Sequence, residues 1–185
     1  MIDKVLGSAQ AHMEKTLDAL HAELVTIRTG RASPSLIERL HVEYYGVSTP
    51  LNQVATITVP EARMLVVQTW DKTALPAVEK AILKSDLGLN PTNDGRVIRV
   101  VIPYLSEERR KDLIKLVHKK VEEGHISVRN CRREALETME KAEKDKAISE
   151  DDFKRAKERL QKLTDKFVAK VDDIGAAKEE EILEV

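Results

Sequence analysis

Basic side chains at helical spacing between Ser106 and about Lys146 are the residues of this chain best suited to chemistry. At about 100° per residue, the cationic residues on one arc of roughly 60° are Lys111, His118, His125, Arg129 and Arg132, with Arg110 slightly inside that arc. The line from Arg110 to Arg132 would be about 33 Å long at the helical rise. That length is too great for a small-molecule pocket and suits a track of phosphates.

The alternative for this stripe is a solvated charged face, which most Lys and Arg side chains on a long helix form. Three details favour phosphate. Arginine dominates at positions 109, 110, 129, 132 and 133, and its planar fork suits phosphate better than an ammonium does. Arg129 and Arg132 are i,i+3 neighbours, and the segment Val128-Arg-Asn-Cys-Arg-Arg133 sets them beside an apolar seam. The residues alone leave RNA binding and a structural face open.

Catalytic and metal-binding groups are scarce in the sequence. His118, Glu122 and His125 could converge on one helix face, but no fourth ligand is in sight, so we expect a solvated or RNA-facing histidine pair and no metal. Cys131 falls on the apolar seam, where an inert core thiol is expected. The sequence contains no glycine-rich phosphate loop, paired-cysteine motif or serine elbow, so we expect no enzyme and no cofactor.

Three segments have the apolar spacing of long helices. The seam of the segment from Ser106 consists of Leu113, Val117, Val121, Gly124, Val128, Cys131, Ala135, Met139 and Ala142. A first helix is predicted from about Ile2 to Thr29, with Gly30 as its C-terminal cap. A last one follows Ser149, its predicted N-cap, toward Leu183. The three seams predict a rod-like three-helix bundle.

Between the first two helices the period changes to that of a small sheet. We expect strands at Leu40–Tyr45, Val54–Val59, Met64–Trp70 and Arg96–Ile102, a turn at 46–50, a helix from Pro76 to Ser85 and an irregular loop at 87–95. The predicted fold is therefore α+β: residues 1–30 and 105–185 form the bundle, and 31–104 form an inserted β/α domain. Both connections can lie side by side, so we predict a hinge at Gly30, Arg31, Pro103, Tyr104 and Leu105. The alternative is a sheet domain clamped onto the bundle.

Composition supports a helical protein of the cytosol. Charged residues make up 34% of the 185 residues and aromatics only 3%, so the core must be mainly aliphatic. The net charge of −1 does not exclude an anionic partner, because the acidic residues concentrate elsewhere, notably at Glu179–Glu181. With one cysteine, no signal-peptide pattern and no apolar run near the ~20 residues that span a bilayer, we expect a soluble cytoplasmic protein.

Several longer strings of residues resemble the ribosome recycling factor family across essentially the full chain. They are Arg28-Thr-Gly-Arg-Ala-Ser-Pro-Ser35, Val42-Glu-Tyr-Tyr-Gly46, Pro76-Ala-Val-Glu-Lys-Ala-Ile82, Ser85-Asp-Leu-Gly-Leu-Asn-Pro91, Glu107-Glu-Arg-Arg-Lys-Asp-Leu113 and Val128-Arg-Asn-Cys-Arg-Arg133. The resemblance implies an L-shaped protein with a helical rod and a smaller α/β domain joined at a flexible elbow. It also implies a factor that, with elongation factor G and GTP, separates the ribosomal subunits after termination and releases tRNA and mRNA.

The resemblance implies which residues contact large-subunit rRNA. The family's key arginines match Arg110, Arg129 and Arg132, with Arg28 and Arg31 as weaker matches; Lys111 and Arg133 join the predicted site because they belong to the basic stripe. The expected partners are the ribosome and elongation factor G, which supplies the GTPase, and we expect a monomer that binds no membrane. Gly124-His125 departs from the family's better helix formers, and Cys131 replaces an aliphatic residue. The alternative function is a coiled-coil adaptor that binds a protein partner.

Overall fold

The computed structural model describes residues 1–184 and divides the chain into two compact units. Met1–Arg28 and Glu108–Leu183 form the first unit, and Thr29–Glu107 belong to the second. The helices are α1 (Ile2–Val25), α2 (Leu75–Lys84), α3 (Glu107–Lys144) and α4 (Glu150–Leu183). The strands are β1 (His41–Tyr44), β2 (Val47–Pro50), β3 (Ala55–Glu61), β4 (Met64–Thr69), β5 (Pro91–Asn93) and β6 (Ile98–Val101). The α+β class predicted from the sequence is confirmed.

The first unit is a bundle of α1, α3 and α4. Its core uses the predicted seams: one cluster of buried residues joins all three helices through Leu6, Ala9, Ala135, Met139, Ala156 and Leu160. Two glycines allow the helices to approach closely. A Cβ on Gly124 would lie 3.2 Å from Val171 Cγ1, and a Cβ on Gly175 would lie well inside contact distance of Val121 Cγ2.

The turn between α3 and α4 is closed by a left-handed residue. Lys146 has φ 59°, its amide donates to Glu143 O at 2.9 Å, and the Ala147 amide donates to Ala142 O at 2.8 Å. This pair of bonds is the Schellman arrangement, which usually has glycine at the left-handed position. Ser149 then begins α4, because its hydroxyl oxygen accepts from the Asp152 amide at 3.1 Å. The predicted N-cap is confirmed.

Helix α1 ends earlier than the sequence predicts. It stops at Val25, and the amides of Thr26 and Ile27 donate to Glu23 O and Leu24 O, three residues back, which closes the last turn tightly. The Thr26 hydroxyl also donates to Glu23 O at 2.6 Å. The prediction of Gly30 as a helix cap is wrong, because four residues separate it from the end of the helix.

The second unit contains two sheets where the sequence predicts one. Strands β1 and β2 form an antiparallel hairpin, and the other four are ordered β3-β4-β6-β5, all antiparallel. Tyr45 (φ 50°) and Gly46 (φ 77°) form the two-residue hairpin turn, which needs two positive φ angles. The predicted turn at 46–50 is therefore mostly strand β2, and the predicted loop at 87–95 contains β5. Pro91 is tolerated in β5 because that strand lies at a sheet edge.

Helix α2 packs against the sheets and completes the core of the second unit. Fully buried side chains of this core come from α2, β1, β4 and β6, namely Val78, Ile82, Val42, Leu65, Val67, Ile98 and Val100. Trp70, directly after β4, is 69% exposed. No helix in the described part of the chain, residues 1–184, has the length and apolar character needed to cross a membrane.

Candidate nucleic-acid interface

Helix α3 carries most of the predicted RNA-binding residues on one continuous element. With 38 residues it is about 57 Å long at the helical rise. Arg129 and Arg133 are exposed, Arg110 and Arg132 are partly buried, and Lys111 is exposed in the first turns. The rigid backbone of a packed helix fixes the intervals between these cations, as a phosphate track requires.

The arginines near position 130 are only weakly engaged within the protein. Arg129 Nη1 lies 3.8 Å from Glu122 Oε1, with the two side chains 62% and 61% exposed, and Arg133 Nε lies 4.0 Å from Glu137 Oε1. Exposed pairs at such distances contribute about 0–1 kcal/mol. Within residues 1–184 the structure gives the Arg132 side chain no hydrogen bond or ion pair. These guanidinium groups can therefore exchange their contacts for phosphate at little cost.

His125 is not the solvated or RNA-facing residue that the sequence predicts. Its side chain is only 15% exposed, and its Nε2 lies 2.7 Å from Asp172 Oδ1 on α4. Its Nδ1 lies 3.4 Å from Glu122 Oε2. His118, which remains exposed, pairs with Glu179 on the same helix α4. The two histidines join α3 to α4, and no group of acidic, histidine or cysteine side chains suited to a metal occurs among residues 1–184.

The two histidine contacts belong to a ladder of facing side chains between the antiparallel helices α3 and α4. Successive steps of this ladder are seven residues apart on each helix. On α3 the steps are His118, His125 and Arg132, and on α4 they are Glu179, Asp172 and Asp165. The first two steps are closed by contacts. At the third, the Asp165 carboxylate instead accepts a hydrogen bond from Gln161 Nε2 at 2.8 Å, and no ion pair with Arg132 forms. The first two steps therefore hold the helices together, while the Arg132 side chain at the third step remains available to bind an external group.

The remaining predicted site residues lie away from α3. Arg28 and Arg31 are exposed on the segment between α1 and β1. Gly30 is buried. Arg28 ends the first unit, whereas Gly30 and Arg31 belong to the second.

The predicted hinge residues at the other connection lie beside an arginine that sequence reasoning missed. Arg63, in the β3–β4 turn, stacks on the Tyr104 ring at 3.0 Å from its centroid, and its Nε donates to Ile102 O at 3.3 Å. The Ile102 amide donates back to Arg63 O at 2.7 Å. The chain is thus fastened to the second unit as far as Tyr104. No local pattern signals this role, because Arg63 and Tyr104 are distant in the chain.

The single cysteine has the character of a structural thiol. Cys131 is half-buried on the α1-facing side of α3, and burial is the main cause that raises its pKa, with the nearby Glu134 carboxylate adding to it. A raised pKa keeps the sulfur protonated at neutral pH, and the thiol is a poor nucleophile in that form. Its position differs from the expected core site, because the side chain is only partly buried and lines an open groove between α1 and α3.

These observations define an α+β protein whose three-helix bundle is interrupted by a sheet unit and whose longest helix presents arginines to solvent. A model of the ribosome recycling factor family matches residues 20–183. The ribosome-recycling factors of Carboxydothermus hydrogenoformans and of Roseiflexus sp. are 55% and 56% identical to the chain, each over the full length of both chains.

Solved structures give the same result. The solution structure of a ribosome recycling factor superposes with a TM-score of 0.73 at 47% identity, covering 100% of this chain and 98% of the other. A second match has a TM-score of 0.64, 50% identity and 99% coverage of both chains. It comes from models for the T. thermophilus ribosome recycling factor and the E. coli elongation factor G bound to the E. coli post-termination complex. The chain belongs to the ribosome recycling factor family, and the resemblance noted in its motifs is confirmed.

Proposed function

We propose that this protein recycles ribosomes: with elongation factor G and GTP, it separates the subunits of the post-termination complex and so releases tRNA and mRNA. The full-length likeness to a relative placed on that complex beside elongation factor G supports the proposal. The observation that carries the residue-level proposal is the Arg132 side chain, which is held on a long packed helix without an internal partner among residues 1–184.

The arginines of α3 would bind the phosphates of large-subunit rRNA. Arg129 and Arg132 lie one turn apart, so each can meet a neighbouring phosphate, and Arg133, Lys111 and Arg110 extend the cationic line. Arg28 and Arg31 would add contacts near the start of the second unit. Because α3 packs along its length against α1 and α4, force applied at one end would reach the rRNA contacts without bending the helix.

We further propose that the sheet domain moves on the bundle at the predicted hinge, which consists of Gly30, Arg31, Pro103, Tyr104 and Leu105, and that at the second connection the rotation occurs after Tyr104. Elongation factor G would push this domain, and its GTPase would supply the free energy, so the recycling factor itself would perform no chemical step and need no cofactor. The stacking of Arg63 on Tyr104 supports a point of rotation on the C-terminal side of Tyr104. The chain before Tyr104 is hydrogen-bonded to the β3–β4 turn and would move with the sheet domain. The protein would act as a monomer in the cytoplasm, where ribosomes work.

A subunit-splitting assay with and without elongation factor G and GTP tests this function, with light scattering as the readout. Arg132→Gln should weaken binding to large subunits by about tenfold and lower the salt dependence of log K by about one unit. Lys119→Gln is the matched control, since it removes an exposed α3 cation outside the predicted arc. An Arg132→Gln protein that folds normally and splits ribosomes at the wild-type rate would contradict the assignment, whereas a wild-type protein that does not co-sediment with ribosomes would favour the adaptor function.

A further inference from the structure

Helix α4 carries a second row of cations, separate from the basic residues of α3. At about 100° per residue, five cationic side chains fall within an arc of roughly 80° over about 22 Å of the helix. They are Arg155, Arg159, Lys162, Lys166 and Lys170, and all five are exposed. Successive members are three or four residues apart, so their side chains are neighbours.

Most side chains of this second row, which we call the α4 row, have no anionic partner among residues 1–184. Arg159 Nη2 lies 2.8 Å from Asp3 Oδ1 on α1, and Lys170 Nζ lies 4.9 Å from the Phe167 ring centroid. Within residues 1–184, no side-chain hydrogen bond or ion pair is formed by Arg155, Lys162 or Lys166. Five clustered cations with a single carboxylate contact repel one another, and an external anion would relieve that repulsion.

The α4 row borders an open groove. Asp3, Leu6, Gly7 and Gln10 of α1 form one wall and Arg159, Lys162, Leu163 and Lys166 of α4 the other, around a volume of about 470 Å³. A Cβ on Gly7 would meet no atom within 4 Å, so this glycine serves no helix contact and leaves the groove wide. The Asp3–Arg159 ion pair bridges the two walls, so an extended ligand on the α4 row would run past Lys162 and Lys166 and would replace Asp3 as the partner of Arg159.

An acidic row separates this groove from the arginines of α3. Glu158, Asp165, Asp172 and Glu179 recur every seven residues on the edge of α4 that faces α3, where the last two contact His125 and His118. One phosphate backbone cannot cross such a row without repulsion. A strand on the α4 row is therefore distinct from a strand on α3.

We propose that the α4 row and its groove form a second RNA-binding surface, which takes the phosphate backbone of a ribosomal RNA strand other than the one on α3. The inference rests on the proposed ribosomal function and adds a contact to it. Charge complementarity selects RNA: the cations are regularly spaced along one line, and between residues 150 and 170 no exposed aromatic or large apolar side chain accompanies them to anchor a protein partner. In this arrangement the α4 row contacts phosphates only, so it positions the bundle on the RNA without recognising the base sequence.

A matched pair of double variants tests this surface. Lys162→Gln with Lys166→Gln removes two exposed cations of the α4 row, and Lys154→Gln with Lys157→Gln removes two exposed α4 cations outside it. Binding to purified large subunits is measured from about 50 to about 200 mM salt. The first variant should bind about tenfold more weakly, with a salt slope lower by about two, and the second should bind like wild type. Equal behaviour of the two variants overturns the inference.

The remaining outcomes separate this inference from the proposed function. If Arg132→Gln weakens binding and the α4 row variant does not, the function stands and the second surface fails. If neither wild type nor any variant binds subunits, the proposed function itself fails. A photoreactive probe on Lys162→Cys, in a Cys131→Ala background, tells RNA from protein: cross-links to rRNA support the proposal, and cross-links only to a ribosomal protein overturn it.

Discussion

The Nε2 atom of His125 lies 2.7 Å from Oδ1 of Asp172, a contact that joins α3 to α4 across 47 residues of sequence. The imidazole is largely buried, whereas the carboxylate is 57% exposed. The imidazole is therefore the fixed partner of this contact, because it is packed between two helices, whereas the more exposed carboxylate has greater freedom to move. The contact stabilises the bundle beside the arginines proposed to bind RNA.

Breaking this contact should destabilise the bundle without unfolding it. We expect His125→Ala to cost about 1–2 kcal/mol and a double-mutant cycle with Asp172→Ala to give a coupling of about 1 kcal/mol, reduced by the exposure of the carboxylate. Urea unfolding followed by circular dichroism measures both values. Asp173→Ala, on the neighbouring acid, is the control; a cycle that gives no coupling would mean that the hydrogen bond adds nothing to stability.

A methyl group added at Gly175 should lower the free energy of unfolding more than one added at Gly124, because the helices pack more closely at Gly175. A Cβ on Gly175 would overlap Val121, whose branched side chain is stiff, so we expect Gly175→Ala to lose about 1–2 kcal/mol despite its better helix propensity. In Gly124→Ala, the gain of about 1 kcal/mol in helix propensity should roughly offset the strain that the added methyl group causes at its tight contact. Thermal melting of the two variants side by side checks the order, and a Gly175→Ala protein as stable as wild type would show that Val121 moves freely.

The left-handed Lys146 predicts a stabilising substitution. Glycine adopts φ 59° without the Cβ clash that lysine suffers, so Lys146→Gly should gain about 0.5–1 kcal/mol. Lys146→Ala removes the same charge but keeps the clash, so it should gain nothing. Chemical denaturation of the three proteins distinguishes relief of backbone strain from loss of a lysine, because the two variants would gain equally in the second case.

Asp94 predicts an acid-sensitive loop in the second unit. Hydrogen bonds from the Val97 and Arg96 amides, followed by that from Arg99, lower the pKa of its carboxyl to about 2. The pKa of Asp94 is lower in the folded than in the unfolded protein, so its ionised carboxylate stabilises the fold. This contribution to the free energy of unfolding is complete above about pH 4 and is lost as the pH falls toward about 2. Trp70, the single tryptophan, lies in the second unit and reports its unfolding by fluorescence.

The comparison for this loop is Asp94→Asn. The difference in stability between wild type and this variant should be larger at about pH 6 than at about pH 2.5. A difference that does not change with pH would show that the carboxylate charge is not what holds the loop.

The long helices were predictable because their signals are local. Apolar spacing places α3 and α4 nearly to the residue, and the Ser149 cap follows from the residues beside it. Strand β2 was missed because Val47-Ser-Thr-Pro50 is short and largely exposed, so it lacks the alternation that marks a strand. Its turn uses Tyr45-Gly46 in place of the usual Asn-Gly or Asp-Gly pair.

Contacts between distant residues were the part of the candidate site that sequence could not supply. The partner of His125 lies on another helix, and the stacking of Arg63 on Tyr104 depends on the sheet that brings β4 and β6 together. The arginines of α3 were identified by spacing and by family resemblance. The α4 row has equally regular spacing, but spacing alone does not distinguish a binding face from the solvated charged face that a long helix normally carries.

The first unit is assembled from both ends of the chain, since α1 packs with helices that begin at residue 107. During synthesis α1 therefore emerges well before its partners, while residues 29–107 can already complete a core of their own. The bundle can close only once translation has passed the end of α4. Until α4 has been made, the apolar face of α1 lacks the helices that it packs against, so α1 should be a binding site for chaperones during synthesis.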